Sequence, residues 1–145
     1  MAQGLLHYQL RQAAHRLKGP IDVESAGVFA IEGMSPSKET IKLLQPYGVD
    51  LSSHMARPLR EELVKRADLI FVMEQFQMEE VLGRFPDAKG KVHLLKRFGL
   101  SDTAPEGDPN PNIPDPIGKP MEVYEVCFAT IQEAVERVAK HLISS

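Results

Sequence analysis

Apolar residues recur along the chain at spacings that predict two long helices, one at each end. Residues 1–18 predict the first helix, because apolar positions three and four residues apart share one of its faces. These positions are Leu6, Leu10, Ala13, Ala14 and Leu17. Gly19-Pro20 then ends this helix. Residues 121–142 predict the closing helix, whose core face consists of Val123, Cys127, Ile131, Ala134, Val138 and Leu142.

Three shorter helices are predicted between these two ends. The first begins at Ser35 or Ser37, either of which is a suitable cap, and ends before Pro46. The second covers residues 58–67, and apolar positions 78, 81, 82 and 85 mark the third.

Three further segments have the pattern of strands. Residues 21–25 alternate apolar and polar side chains, residues 69–73 are continuously apolar, and residues 91–95 predict a further strand. A continuous apolar run is typical of a parallel strand that is covered on both faces. We therefore expect an α/β fold, a three-layer parallel sheet flanked by helices. Such folds usually open on a strand, whereas this chain opens on a helix.

Length and composition narrow the possible functions. With 145 residues, 43% of them apolar, the chain is expected to be one domain over residues 1–145 with its own core. The formal net charge of −3 gives no reason to expect a nucleic acid or an anionic membrane as a partner. No apolar run approaches membrane-spanning length. A cytoplasmic protein is the simplest expectation.

Cysteine and histidine positions do not favour disulfide or metal chemistry. The only cysteine, Cys127, lies on the apolar face of the closing helix, which favours a packed thiol over a nucleophile. His93 and His141 have no partner at metal-ligand spacing. We expect no metal and no cofactor.

One loop before the closing helix carries a candidate catalytic group. Pro114 and Pro116 restrict the backbone on either side of Asp115, and Gly118 allows a sharp turn. A carboxylate held stiffly on a loop is suited to general acid catalysis. Asp-Pro pairs are also common turn formers, so the loop on its own is better explained by a turn or a helix cap.

Five segments together resemble the low-molecular-weight protein tyrosine phosphatases, in that family's order and over essentially the whole chain. They are Met1–Leu6, Glu24–Ala30, Gly48–Leu51 with His54–Arg57, Ala67–Met73 and Ile113–Gly118. The resemblance implies a four-stranded parallel sheet with helices on both faces. It also implies hydrolysis of phosphate monoesters through a phosphocysteine, without a metal.

The resemblance also assigns roles to individual residues. Asp115 matches the general acid, and Ser25 and His54 match positions that hydrogen-bond the phosphate-binding loop. Phe29 and Ile31 lie in the segment that lines the substrate entrance in the family. Two further matches are less specific: Arg57 is equally explained as a solvated side chain, and Glu74 as a helix cap.

The family signature is a cysteine, five residues and Arg-Ser or Arg-Thr, in a loop after the first strand, and this sequence does not contain it. We expect an N-terminally truncated form in which the first strand and the phosphate loop are absent. Such a chain is expected to be inactive. It is also expected to be poorly stable or to self-associate through the gap left by the strand.

Three functions are therefore distinguished. The first is a phosphatase acting on phosphorylated protein side chains, either phosphotyrosine or phosphoarginine, and the run Ser25–Ala30 resembles the arginine phosphatase branch. The second is a non-catalytic pseudophosphatase that binds or regulates a partner. The third, an arsenate reductase, needs additional cysteines for disulfide exchange, so a chain with one cysteine is a poor candidate.

Overall fold

The computed structural model of the chain describes residues 1–27, 36–49, 57–100 and 110–144. Its α-helices are Ala2–Gln12 (α1), Lys38–Leu44 (α2), Glu61–Arg66 (α3), Gln75–Arg84 (α4) and Met121–Ser144 (α5). Short 3₁₀ turns at Ala14–Arg16, Gln45–Tyr47 and Pro86–Ala88 follow α1, α2 and α4. The strands are Ile70–Val72 (β1) and Val92–Leu94 (β2).

The two strands form a parallel pair in which Ile70 lies opposite Val92. The Ile70 N–H donates to the Lys91 carbonyl at 2.8 Å, and the Leu95 N–H donates to the Val72 carbonyl at 2.9 Å. α4 connects the strands, as parallel pairing requires a crossover. The predicted parallel α/β arrangement is confirmed for this strand–helix–strand unit.

The prediction of a strand at residues 21–25 was wrong for the described part of the chain, where this segment has no regular structure. Its Val23 carbonyl accepts a hydrogen bond from the Gln3 side chain at 3.0 Å. A β-ladder needs a second strand alongside, and among the described residues this segment meets side chains of α1 instead. An isolated β-bridge between Gly27 and Pro58 follows it.

That bridge explains why α3 is shorter than predicted. The Gly27 N–H donates to the Arg57 carbonyl at 3.0 Å, and the Leu59 N–H donates back to Gly27 at 3.0 Å. Residues 58 and 59 therefore have a bridge geometry and cannot also form the first helical turn, so α3 begins at Glu61.

The first helix is also shorter than predicted. The Ala13 N–H is shared between the carbonyls of Gln9 and Leu10, at 3.2 and 3.3 Å, where α1 tightens into a 3₁₀ turn. Its inner face includes Gly4 and Leu5, with Leu5 fully buried, whereas the predicted core residue Ala14 is exposed.

The larger core joins α1, α2 and the full length of α5. Its buried members are Leu5, Leu44, Leu95, Ile113, Cys127, Phe128, Ile131, Ala134, Val135 and Val138. Met1 and Ala2, at the start of α1, pack against this cluster. The start of α1 and the Asp115 loop therefore share one core, which brings segments more than 100 residues apart into the same region of the molecule.

The predicted core face of α5 is confirmed at Cys127, Ile131, Ala134 and Val138. It was wrong at Val123, which is 42% exposed. The buried face extends instead to Tyr124, Phe128 and Val135, on the side of the helix away from Val123, so it is wider than predicted.

A smaller core lies between α3, α4 and the two strands. Its buried members are Val64, Val72, Val81, Ala88 and Val92. The Lys91 ammonium donates to the carbonyls of Val64 and Ala67, at 2.5 and 2.9 Å, and so satisfies the carboxyl end of α3.

Among the described residues, no helix is both long and apolar enough to cross a membrane. α5 has 24 residues, but charged residues interrupt it throughout.

Candidate active site

The carboxylate of Asp115 is presented to solvent by a tight turn. Asp115 is exposed, and its Oδ1 accepts a hydrogen bond from the Ile117 N–H at 3.0 Å. The Lys119 N–H donates to the Pro116 carbonyl at 2.9 Å, and Gly118 has a φ of +77°. This positive φ is where the turn requires glycine. The local sequence therefore fixes Asp115 and leaves its second carboxylate oxygen available for proton transfer.

The Asp115 loop is attached to the carboxyl end of β1. Ile113 is only 3% exposed, and its N–H donates to the Met73 carbonyl at 2.8 Å. The carboxyl ends of parallel strands form the edge at which ligands of α/β proteins commonly bind. The carboxylate of Asp115 lies two residues beyond this attachment point.

Cys127 lies beneath the same loop and is not suited to nucleophilic attack. The thiol is buried, and its Sγ lies 3.8 Å from the Pro114 carbonyl oxygen, to which it donates. Burial, followed by the negative charge of Asp115, raises the pKa of Cys127, while the amino group of Met1 acts in the opposite direction. The thiol is therefore protonated at neutral pH. The prediction that Cys127 is a packed thiol is confirmed.

The start of α1 lies in the same region, because Met1 packs against the core cluster that contains Cys127 and Ile113. Burial lowers the pKa of the Met1 amino group, and Cys127, when ionised, acts in the opposite direction. Asp115, Cys127 and Met1 therefore occupy one region, in which the amino end of α1 lies near the candidate acid.

Ser25 reaches the first turn of α1 from the other side. Its hydroxyl donates to the Gln3 Oε1 at 2.5 Å, and the Gln3 Nε2 donates to the Val23 carbonyl at 3.0 Å. His7, one helical turn further on, lies 3.3 Å from the same carbonyl through its Nε2. The serine oxygen keeps lone pairs for a further hydrogen bond, so its predicted contact with a phosphate-binding loop stays a prediction.

Arg57 holds the backbone of Ser25 in place. Its Nε donates to the Ser25 carbonyl at 2.9 Å, and its guanidinium group lies 3.6 Å from a Glu24 carboxylate oxygen. Arg66 also pairs with Glu24, at 3.2 Å. Both partners of the Arg57–Glu24 pair are more than 40% exposed, so the ion pair stabilises little, and the backbone contact is the one that positions Ser25.

Glu74 is a helix cap, as one of its two interpretations predicted. It forms a capping box at the start of α4 with Gln77. The Gln77 Oε1 accepts from the N–H groups of Met73 and Glu74, at 2.9 and 3.1 Å. These bonds make the junction between β1 and α4 rigid.

Two residues at the candidate site were not identified from the sequence. Gln3 joins α1 to Ser25 and Val23, and Asn112 accepts a hydrogen bond from the Gln75 N–H at 2.7 Å. For Asn112 the only sequence signal was its place immediately before Ile113–Gly118.

Three predicted residues, His54, Phe29 and Ile31, lie outside the described residues. Within the described ranges, no three His, Cys, Asp or Glu side chains are grouped so that they could hold a metal ion.

Comparison with known sequences gives a family match over the full chain. The profile described as low molecular weight phosphotyrosine protein phosphatase matches residues 1–145. A protein-arginine-phosphatase from Geobacillus stearothermophilus is 34% identical over 122 residues, which cover 84% of this chain and 77% of the relative. A probable low molecular weight protein-tyrosine-phosphatase EpsP from Ralstonia solanacearum is 36% identical over 136 residues, which cover 94% of this chain and 81% of the relative.

Solved structures show the same architecture. The YwlE arginine phosphatase from Geobacillus stearothermophilus has a TM-score of 0.78 and 30% identity, covering 97% of this chain and 82% of that structure. A low molecular weight protein tyrosine phosphatase from T. tengcongensis has a TM-score of 0.81 and 29% identity, and the match covers 97% of this chain and 88% of that structure. The α/β fold expected from the sequence is therefore confirmed at the level of whole structures.

Proposed function

Because the chain belongs to the low molecular weight phosphotyrosine protein phosphatase family, we propose that it carries the general acid of a phosphatase that acts on phosphorylated protein side chains. In the intact enzyme the reaction passes through a phosphocysteine, and Asp115 is the acid. The observation that carries this proposal is the exposed Asp115 carboxylate, held by the Ile117 N–H and attached through Ile113 to the end of β1.

The chemistry divides into two steps in which Asp115 exchanges one proton. In the first, a cysteine thiolate forms a bond to phosphorus, the bond to the leaving oxygen breaks, and Asp115 protonates that oxygen. In the second, the Asp115 carboxylate takes a proton from water while the water oxygen attacks phosphorus. The sulfur–phosphorus bond breaks, and inorganic phosphate and the thiolate are released.

The remaining matches support this role without contacting the transferred group. In the proposed enzyme Ser25, kept in place by Arg57, supports the loop that binds phosphate. The same role for His54, and a place for Phe29 and Ile31 at the substrate entrance, stay predictions from the family resemblance. The hydrogen bonds of Ser25 to Gln3, and of Arg57 to the Ser25 carbonyl, favour a rigid support of this kind.

The phosphorylated residue is phosphotyrosine or phosphoarginine. Relatives of both names match this chain at similar identity, 34% for the arginine phosphatase and 36% for the tyrosine phosphatase. Identity alone therefore does not favour either substrate, and the two must be compared directly.

The nucleophile is not Cys127, whose thiol is buried and protonated at neutral pH. We infer that the polypeptide of residues 1–145 is inactive on its own, and that the thiolate and the phosphate-binding arginine come from residues outside the sequence Met1–Ser145. The predicted cytoplasmic location is consistent with a reactive thiolate, which a reducing compartment preserves.

The experiment that tests this function uses the polypeptide expressed from the native gene with its own upstream region. Its intact mass is measured first, followed by hydrolysis of phosphotyrosine and phosphoarginine peptides. We expect a mass above that of residues 1–145, hydrolysis of one peptide class, and a large loss of rate in Asp115→Asn. Hydrolysis by residues 1–145 alone that survives Asp115→Asn would overturn the assignment.

A second candidate is a non-catalytic pseudophosphatase. The observation that favours it is that the sequence contains neither the family's cysteine signature nor an accessible thiol. An intact mass equal to that of residues 1–145, with no hydrolysis of either peptide, would make this the better account.

Self-association is a further proposal, based on the free edge of β1. The backbone groups of Ile70 and Val72 bond to the β2 side, so those of Phe71 point to the opposite edge. The described residues place no strand at that edge. An unpaired strand edge is a template for pairing with a second chain.

A further inference from the structure

Two adjacent hydrogen bonds join the Asp115 loop to the residues that follow β1. The Gln75 N–H donates to the Asn112 Oδ1 at 2.7 Å, and the Ile113 N–H donates to the Met73 carbonyl at 2.8 Å. The first bond depends on one side chain, whereas the second is formed by backbone alone. Asn112 is therefore the part of this attachment that a substitution can remove.

The attachment point is itself rigid. The N–H groups of Met73 and Glu74 are both bound by the Gln77 side chain, and Glu74 completes the capping box. Asn112 binds the next N–H along, that of Gln75, the first residue of α4. Three consecutive backbone donors are thus bound by side-chain oxygens, so the loop is anchored to a junction with little freedom to move.

The short path from Asn112 to the carboxylate is also restricted. Ile113 is buried, and prolines on both sides of Asp115 fix their own φ angles. Before the anchor, the Asn112 N–H donates to the Asn110 Oδ1 at 3.0 Å, which orients the Asn112 backbone. The backbone between Asn112 and Asp115 therefore has few freely rotating bonds.

We propose that Asn112 is a positioning residue for Asp115, because its side-chain oxygen ties the loop to the start of α4. The role in catalysis rests on the proposed function, whereas the anchor itself does not. The competing explanation is that Asn112 only caps α4, by satisfying the N–H of its first residue. The two explanations differ in whether loss of the oxygen releases the loop over Cys127.

Cys127 is a built-in reporter of that release. It is the only cysteine, it lies under the Pro114 carbonyl at 3.8 Å, and it is 9% exposed. A thiol reagent reaches it only when the loop opens or the protein unfolds. The rate of labelling in native buffer, with residues 1–145 and no substrate, therefore measures loop opening whether or not the polypeptide is an enzyme.

The test compares labelling rates in Asn112→Ala, Asn112→Asp and a control, Ser37→Ala. Asn112→Asp keeps an acceptor oxygen at the same place. Ser37→Ala removes a different cap, the Oγ that accepts from the Thr40 N–H at 3.3 Å in α2, and does not touch the loop. Circular dichroism confirms that each variant is folded, and exchange of the Ile113 amide hydrogen gives an independent signal for the second bond of the anchor.

We expect labelling to be about tenfold faster in Asn112→Ala, with faster exchange at Ile113, because a local hydrogen bond is lost. Asn112→Asp and Ser37→Ala should both stay close to the parent rate. An unchanged rate in Asn112→Ala, or an equal increase in Ser37→Ala, would overturn the proposal. If Asn112→Ala does not fold, faster labelling in the folded Asn112→Asp would overturn it as well, since that variant retains the acceptor.

The catalytic consequence is measured separately on an active product of the native gene. If Asn112 positions Asp115, Asn112→Ala should lower kcat/KM for phosphate esters with poor leaving groups and leave kcat/KM for good leaving groups nearly unchanged. A released loop with a uniform loss of kcat/KM would contradict the positioning role and leave the phosphatase assignment intact.

Discussion

An exposed carboxylate and a buried thiol lie on opposite sides of one backbone carbonyl, that of Pro114. The thiol of Cys127 donates to this carbonyl, and Asp115 follows it directly in the chain. The carboxylate is open to solvent, whereas the thiol keeps its proton because burial and the adjacent charge both oppose ionisation. Two ionisable groups in one region thus differ because their solvent exposure differs.

The raised pKa of Cys127 predicts how stability changes in alkaline solution. The native state holds the thiol proton more tightly than the unfolded chain does, because the pKa of the thiol in the unfolded chain is about 8.5 and folding raises it. The stability that the protonated thiol contributes is therefore complete below the pKa of the unfolded chain. It is lost as the pH rises through the pKa of the folded protein. We expect the free energy of unfolding, measured with urea, to fall over this range more steeply in the parent than in Cys127→Ala.

The comparison of the two proteins removes the contributions of other titrating groups, since lysines and tyrosines are common to both. The difference in stability between parent and variant should shrink between about pH 7 and about pH 10. A difference that stays constant over this range would show that the thiol has the same pKa in both states.

At the residue scale, the sequence allowed the turn around Asp115 to be predicted but not the contacts that support it. The flanking prolines and Gly118 are adjacent to Asp115, so the stiff turn is a local property. The partner of Asn112 is Gln75, 37 positions away, and Gln3 meets Ser25 across 22 positions. Contacts at such distances depend on the packed fold, which a local pattern does not specify.

At the scale of the elements, two glycines in helices test how closely α1 packs. A Cβ added to Gly4 would lie 3.0 Å from Val49 Cγ1 and 3.2 Å from Leu44 Cδ1, whereas one added to Gly83 in α4 would have no neighbour within 4 Å. Alanine replaces glycine favourably in a helix by about 0.5–1 kcal/mol when there is room. We expect Gly83→Ala to raise the free energy of unfolding by about this amount.

Gly4→Ala should lack that gain, because Leu44 is fully buried and cannot move away without disturbing the core. Urea unfolding of the two variants under the same conditions measures the difference. Equal stabilisation by both substitutions would show that α1 and α2 are not packed as closely as described.

Element types were largely predictable, and element ends were less so. The five helices and the strands near residues 70 and 92 follow from apolar periodicity. The segment at 21–25 has the alternation of a strand but no partner strand within the described residues. Pro58 was predicted to begin a helix but forms a β-bridge with Gly27. These differences arise from pairing between distant segments, which periodicity does not contain.

At the scale of the whole molecule, the proposed self-association through the free edge of β1 can be tested directly. We expect residues 1–145 to show concentration-dependent dimers or larger species in sedimentation velocity, with slower amide exchange at Phe71 as the concentration rises. A single monomeric species at all concentrations, with unchanged exchange at Phe71, would show that this edge does not pair.

The order of elements and the family match were sufficient to predict the architecture as a whole. Relatives with 30% and 29% identity have TM-scores of 0.78 and 0.81, so the fold tolerates wide variation in sequence. The candidate site is less predictable at this scale, because it joins the start of α1, the end of β1 and the loop before α5.

The central claim, that Asp115 is the general acid of a phosphocysteine phosphatase, is tested most directly by leaving-group dependence. Aryl phosphates with good and poor leaving groups are hydrolysed by the native gene product and by its Asp115→Asn variant. The variant should lose about 10²–10⁴-fold in kcat/KM, which reports transfer of the phosphoryl group to the cysteine, with poor leaving groups and much less with good ones, which need little protonation. An equal loss of kcat/KM for all leaving groups, or none, would contradict the assignment of Asp115.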